Sequence, residues 1–243
     1  MVSRFIAALA AAFLLFPAIA SAQERSAVKD GFAFAKAKPV TIAVFRPDVK
    51  VGSLTAGGVD EPNADWTADA RKLIAEALQR NPSIGAATFA FPSEPTGDDG
   101  AYLADYRGLF RAVANSIMVH KLFVGNRLPT KKKAFDWTLG EGAKRLRDIG
   151  GTDYALFFFT HDSYGTAGRK TAQMVGALFG AYIPAGVHTG YAGLVDLSNG
   201  DVVWFNADPQ MGGDVRTVEG ADKRVSQLLA DFPGSTPKPV AAK

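Results

Sequence analysis

Six consecutive residues, Tyr154-Ala155-Leu156-Phe157-Phe158-Phe159, carry no charge and show no polar–apolar alternation. A strand with one face in water alternates, whereas a strand apolar on both faces lies inside a sheet covered by helices on each side. This run therefore demands a central strand and two helical layers around it.

The flanking segments supply those layers. Residues 40–45 form a β-rich run stopped by Pro47, and residues 49–55 read as a second short strand. Asp65 is placed to cap a helix whose stripe is Trp66, Ala70, Leu73, Ile74, Ala77 and Leu78, ended by Asn81-Pro82. A short strand over 86–91 is closed by Pro92. Asp99, with Asp98 beside it, then heads a helix bearing Tyr102, Leu103, Tyr106, Phe110, Val113 and Ile117. The spacing of Leu139, Ala143 and Leu146 predicts a third helix over 136–149, stopped by Gly150-Gly151. Beyond the central run, Ser198-Asn199-Gly200-Asp201 joins two strands, because Asn-Gly accepts the positive φ angles of a tight hairpin turn. Thr217 heads a last helix with Val218, Ala221, Val225, Leu228, Leu229 and Phe232, and Pro233 stops it. The expected fold is α/β: a single mixed β-sheet flanked by helices, with a C-terminal β-hairpin and a final helix. One domain spans 39–233, preceded by a flexible lead-in at 23–38 and followed by a disordered tail at 234–243.

Residues 1–22 have the form of an export signal. Arg4 is followed by an apolar run to Phe16, Pro17 breaks it, and Ala20-Ser21-Ala22 offers a cleavage site before Gln23. Periplasmic or secreted location follows. With no cysteine, the core has no disulfide to support it and the cleaved amino terminus has no lipid-anchor residue, so a lipoprotein is not expected. Against 27 Lys+Arg stand 24 Asp+Glu, with the signs interspersed, which argues against a nucleic-acid partner. Lys131-Lys132-Lys133 reads as a solvated loop.

No motif supplies a reactive centre, cofactor site or metal site. Gly165-Thr166-Ala167-Gly168-Arg169-Lys170-Thr171 sits where phosphate loops sit, but Arg169 intrudes between the second glycine and the lysine, and Ser163 stands where the first glycine belongs. The three histidines, His120, His161 and His188, form no ligand pair. His161-Asp162, with Arg169 and Lys170 downstream, is the candidate ligand site, because loops at strand carboxyl ends gather sites in α/β sheets. Asp60-Glu61 and Asp98-Asp99 read as turn and cap residues.

Residues 165–190 form an insertion rich in glycine and apolar side chains. Within it Ala172, Gly176 and Gly180 recur every fourth residue, a bare helix face that permits close contact and is the candidate self-association surface. Packing within the chain, a second copy and the membrane surface are the three occupants that such a face admits.

Three segments together resemble the periplasmic α/β domain of CsgG-type curli-secretion proteins, the amino-terminal domain of TolB and related envelope lipoproteins. They are Thr41-Ile42-Ala43-Val44-Phe45-Arg46-Pro47, Gly151-Thr152-Asp153-Tyr154-Ala155-Leu156, and the hairpin from Asp196 to Trp204. The resemblance implies a non-enzymatic envelope role in assembly or secretion support, with protein partners and no cofactor. The missing anchor cysteine departs from the CsgG-type pattern.

Overall fold

The computed structural model describes residues 26–235, apart from 36–38, 82, 86, 123, 132 and 133. The signal at 1–22 and the tail from 236 lie outside the described residues. In chain order the elements are β1 (Ser26–Val28), β2 (Val40–Val44), β3 (Asp48–Leu54), β4 (Asp60–Pro62), α1 (Ala64–Arg80), β5 (Ser83–Ile84), β6 (Ala87–Ala90), α2 (Gly97–Ile117), α3 (Lys144–Gly150), β7 (Tyr154–Gly165), α4 (Ala167–Leu178), β8 (Val187–Asp196), β9 (Val202–Asp208) and α5 (Val218–Leu228).

The nine strands among the described residues form one mixed sheet, seven of them in the spatial order β1-β9-β8-β7-β2-β6-β5, with β3 paired to β7 and β4 to β3 off that path. Strands β2, β6 and β7 are parallel, while β8, β9 and β1 add antiparallel neighbours on the other side. The central run is the first half of β7, a strand of 12 residues. Its even positions Leu156 and Phe158 join α1 and α5 in one core, through Ile74, Leu78, Val225 and Leu228. Its odd positions Ala155 and Phe157 join α2 and α3 in the other, through Leu103, Phe110, Ile117 and Leu146. Two cores on two faces are what a doubly apolar strand requires.

β2 and β3 are two halves of one line along β7. Val44 pairs with Leu156 and Asp48 with Phe159, so Phe45, Arg46 and Pro47 oppose only Phe157 and Phe158. This β-bulge accommodates Pro47, which has no N–H to give a ladder. β3 then follows β7 out to Gly165, past the end of β6.

Two expectations are corrected. The lead-in at 23–38 contains β1, which pairs antiparallel with β9 through Ala27 and Phe205. Phe32 and Phe34 follow it and meet Tyr154 edge to face, with ring centroids 6.1 and 5.5 Å away. Burial of these aromatic rings outweighs the charged, alanine-rich composition of the segment. The third helix is shorter than 136–149. Residues 135–139 are extended, burying Phe135, Trp137 and Leu139 on one side, and they bond the hairpin through Leu139 N–H to Gly200 O at 2.8 Å and Val202 N–H to Trp137 O at 2.8 Å. Gly140, at φ 78°, turns the chain into the short helix.

Candidate functional site

Past Phe159 the strand β7 becomes polar, and alternation sends its side chains to opposite faces. Thr160 and Asp162 point toward α5 and are fully buried, as is Arg224, which α5 places on its apolar stripe between Ala221 and Val225. Arg224 donates from one terminal nitrogen to Asp162 Oδ1 at 2.7 Å and from the other to Thr160 Oγ1 at 2.8 Å. The Thr160 hydroxyl passes the chain on to Asp162 Oδ2 at 3.0 Å. His188, paired with Asp162 across β7 and β8, donates its Nδ1–H to Asp162 Oδ1 at 2.8 Å. Arg224 Nε is buried without a partner. Two charges taken out of water hold together only when close and hydrogen-bonded, and this carboxylate has three donors on it.

Outside that pair lies a half-exposed stack. The Arg216 guanidinium lies 3.8 Å from the Tyr164 ring centroid and 4.6 Å from that of Trp66. Its bidentate bond to Asp214, at 2.9 and 2.7 Å, holds that carboxyl well below the usual carboxylate range. Burial, then the hydrogen bond to Asp214, pushes the Tyr164 phenol up.

His161 and Ser163 face the other way. Asp60 on β4 bridges them, accepting from Ser163 Oγ at 2.6 Å and from His161 Nε2–H at 2.9 Å. The aspartate sits between serine and histidine here, so the histidine is not in contact with the serine hydroxyl and the three do not form the Ser-His-Asp order of a hydrolase triad.

Residues 165–186 leave the sheet as a helical hairpin. Thr166 caps α4 by accepting from Arg169 N–H. Arg169 donates Nε to Pro184 O at 2.9 Å and a terminal nitrogen to Ala56 O at 3.3 Å, and Gln173 donates to Ile183 O at 2.9 Å. These bonds fold residues 181–185 back along the helix. A Cβ on Gly176 would lie 2.8 Å from Ile183 Cδ1, so the small-residue face at Ala172 and Gly176 is turned toward its own return segment, and Gly180, at φ 72°, makes the turn between them. None of α4 is buried. Its outer face instead presents Met174 at 65% exposure, Leu178 at 82% and Phe179 at 84%, and Tyr182 follows at 88%.

The candidate ligand residues do not converge. His161 and Asp162 are on opposite faces, Arg169 is engaged within the hairpin and Lys170 points to solvent. His120 donates its ring N–H to Asn126 O at 2.7 Å, closing the π-helical turn that follows α2. Two features escaped the residue pattern. Arg224 reads as a solvent-side residue, although its place in Ala221-Arg224-Val225-Leu228 is that of a core position. Met174 and Leu178, one turn apart, were legible as an apolar pair, but helical spacing does not say which face its own chain covers.

No family model and no curated protein matches this chain. Solved structures overlay on it in part. The PelC dodecamer from Paraburkholderia phytofirmans is 13% identical over 87% of this chain and 97% of that one, with a TM-score of 0.40. Lipoprotein GNA1162 from Neisseria meningitidis is 16% identical over 70% and 78%, at 0.29. The LpoB C-terminal domain from Salmonella enterica is 13% identical over 74% and 85%, at 0.25. At these values the functional reading rests on this chain's own geometry.

Proposed function

We propose that this is an exported, non-enzymatic protein of the cell envelope that works by protein–protein binding in assembly or secretion support, and that the 165–186 hairpin is its binding element. The observation that carries this is the outer face of Met174, Leu178, Phe179 and Tyr182, which is held in a defined shape yet left exposed by the described residues. Contiguous apolar surface of this kind marks an interaction site on soluble proteins. Among the described residues no helix is long and apolar enough to cross a membrane.

Magnitudes define the partner's reach. Fully covering one such side chain yields about 1.5–3 kcal/mol. Four together give roughly 6–12 kcal/mol, comparable to the roughly 4–15 kcal/mol lost on association. The partner therefore covers the hairpin's flanks as well as its crest, or several copies engage at once.

A photo-crosslinking amino acid in place of Phe179 tests the reading in intact cells. Protein adducts that vanish in a Leu178→Ser variant are the expected result. Adducts confined to lipid, or none above those of a control site on exposed α1, would refute it. Sedimentation of the purified exported chain, wild type against Leu178→Ser/Phe179→Ser, separates self-association from a different partner.

A further inference from the structure

We infer that a cleft at the open edge of β3 binds a small oxyanion, a carboxylate or phosphate group, at a place separate from the hairpin. The sheet topology makes the opening. From β2 the chain reaches β6 on one side by way of α1, and then crosses to β7 on the other side by way of α2 and α3, which pack on the opposite face. Such a reversal leaves a crevice outside the carboxyl ends of the parallel strands, where α/β sheets take ligands. Here β6 stops opposite Ala43, and β4 begins only opposite Gly52. Among the described residues, the outer edge of β3 between them has no strand beside it.

That edge is finished by side chains of α1. The Thr67 hydroxyl accepts from Val51 N–H at 3.0 Å and donates to Val51 O at 3.1 Å, and Arg71 donates to Val49 O at 3.3 Å. With the backbone satisfied, the edge is closed to an added strand. The space beside it remains as a cleft of about 360 Å³, lined by Lys50, Asp60, Thr67, Arg71 and His161. A volume of this order suits a small molecule rather than a peptide.

The charges select the ligand. Both carboxylates at the cleft are engaged: Asp48 is bound by Arg111 of α2, and Asp60 accepts from Ser163 and His161. The cations are less occupied. Lys50 makes no ion pair among the described residues, and Arg71 spends one nitrogen on a neutral carbonyl. Immediately beyond, Arg46 and Arg107 share Glu94, and this arginine field, reaching from Arg107 first and from Arg71 as well, holds the Glu94 carboxyl below its ordinary range. Arg46, Lys50, Arg71, Arg107 and Arg111 thus face three carboxylates, Asp48, Asp60 and Glu94. Lys50 and Arg71 stand on two walls of the cleft, and neither is in a salt bridge among the described residues. His161, next to Lys50 across β3 and β7, also lines the cleft. An anion between Lys50 and Arg71 gains charge-assisted hydrogen bonds without breaking an existing ion pair.

The test is amide chemical-shift titration of the purified exported chain with inorganic phosphate and, separately, glucuronate, at constant ionic strength. Saturable shifts at Lys50, Val51 and His161 are expected with at least one of the probes. Phosphate alone identifies a phosphate ligand and glucuronate alone a carboxylate. Lys50→Ala touches no structural bond and should weaken the binding about tenfold, which is the loss of one charge-assisted hydrogen bond. Arg71→Lys keeps a cation while removing the fork and should weaken phosphate binding by a smaller factor. Shifts linear in concentration with both probes, or saturable binding that Lys50→Ala leaves unchanged, would overturn the assignment.

Discussion

Replacing Asp162 by alanine is the sharpest test of how this molecule is held together. The variant strips Arg224 of the carboxylate it pairs with, in a site where both side chains are 0% exposed. A guanidinium cannot shed its proton, so the charge stays buried and unpaired. Breaking a buried pair in this way costs about 3–5 kcal/mol. Total stabilities of domains run to roughly 5–15 kcal/mol, so the variant should be near the limit of folding. Arg224→Met should cost less, because the orphaned carboxylate keeps its bond from His188, which is partly open to water, and a carboxylate can take up a proton when its charge is no longer balanced. The double variant Asp162→Leu/Arg224→Met removes both charges and fills their volume. It should lie closer to wild type than Asp162→Ala does. Equilibrium urea unfolding of wild type, Asp162→Leu, Arg224→Met and the double variant, followed by circular dichroism with the denaturant slope held as a check, gives the four corners of the cycle. If Asp162→Ala costs less than about 1 kcal/mol, or the two single changes simply add in the double, the pair is not the coupled element described here.

Two further outcomes follow from local geometry. Gly176→Leu should destabilise the hairpin by about 1–3 kcal/mol through collision with Ile183, seen as faster limited proteolysis within 165–186 while the rest of the domain keeps its urea midpoint. The Tyr164 phenol is pushed up by burial, so the folded state prefers it neutral. Its stabilisation is complete below the ordinary tyrosine pKa of about 10 and is lost as pH rises past it. Tyr164→Phe should therefore flatten part of the alkaline loss of stability; an unchanged alkaline profile would contradict the assignment.

The layers of the fold were readable because the run from Tyr154 to Phe159 admits one environment only. The hairpin turn was readable because Asn199-Gly200 fits few backbone shapes, with Gly200 at φ 82°. Helix starts were less so. Asn63 rather than Asp65 caps α1, accepting from Trp66 N–H at 2.9 Å, and α2 begins at Gly97. Several neighbouring residues can serve as a cap, and tertiary position selects among them. Residues 135–139 misled because Leu139, Ala143 and Leu146 carry helical spacing while Phe135, Trp137 and Leu139 alternate, and a partner strand more than sixty residues ahead decides between the two patterns. His161 and Asp162 lie apart for a reason available in advance: adjacent strand residues point to opposite faces. The cleft was invisible because Lys50, Asp60, Arg71 and His161 come from four separate elements.

The second half of β7 explains why these features occur together. As far as Phe159 it is roofed on both sides and must be apolar. Beyond that point the strand turns polar, and each residue answers to its own face. Thr160 and Asp162 remain under α5, where polar groups survive only as a closed network with Arg224. His161 and Ser163 face the other way and both bond Asp60, His161 partly open to water and Ser163 fully buried. Gly165 ends the strand with the carbonyl of Ala185 against its bare Cα, a contact any Cβ would block, and this glycine lets the hairpin fold back and stand clear of the sheet. A single strand that outruns its roof thus sets a buried ion pair, an open cationic cleft and an exposed apolar crest within a few residues of one another. The variants chosen for each, at Asp162, Lys50 and Leu178, lie on different side chains, so their tests return separate answers.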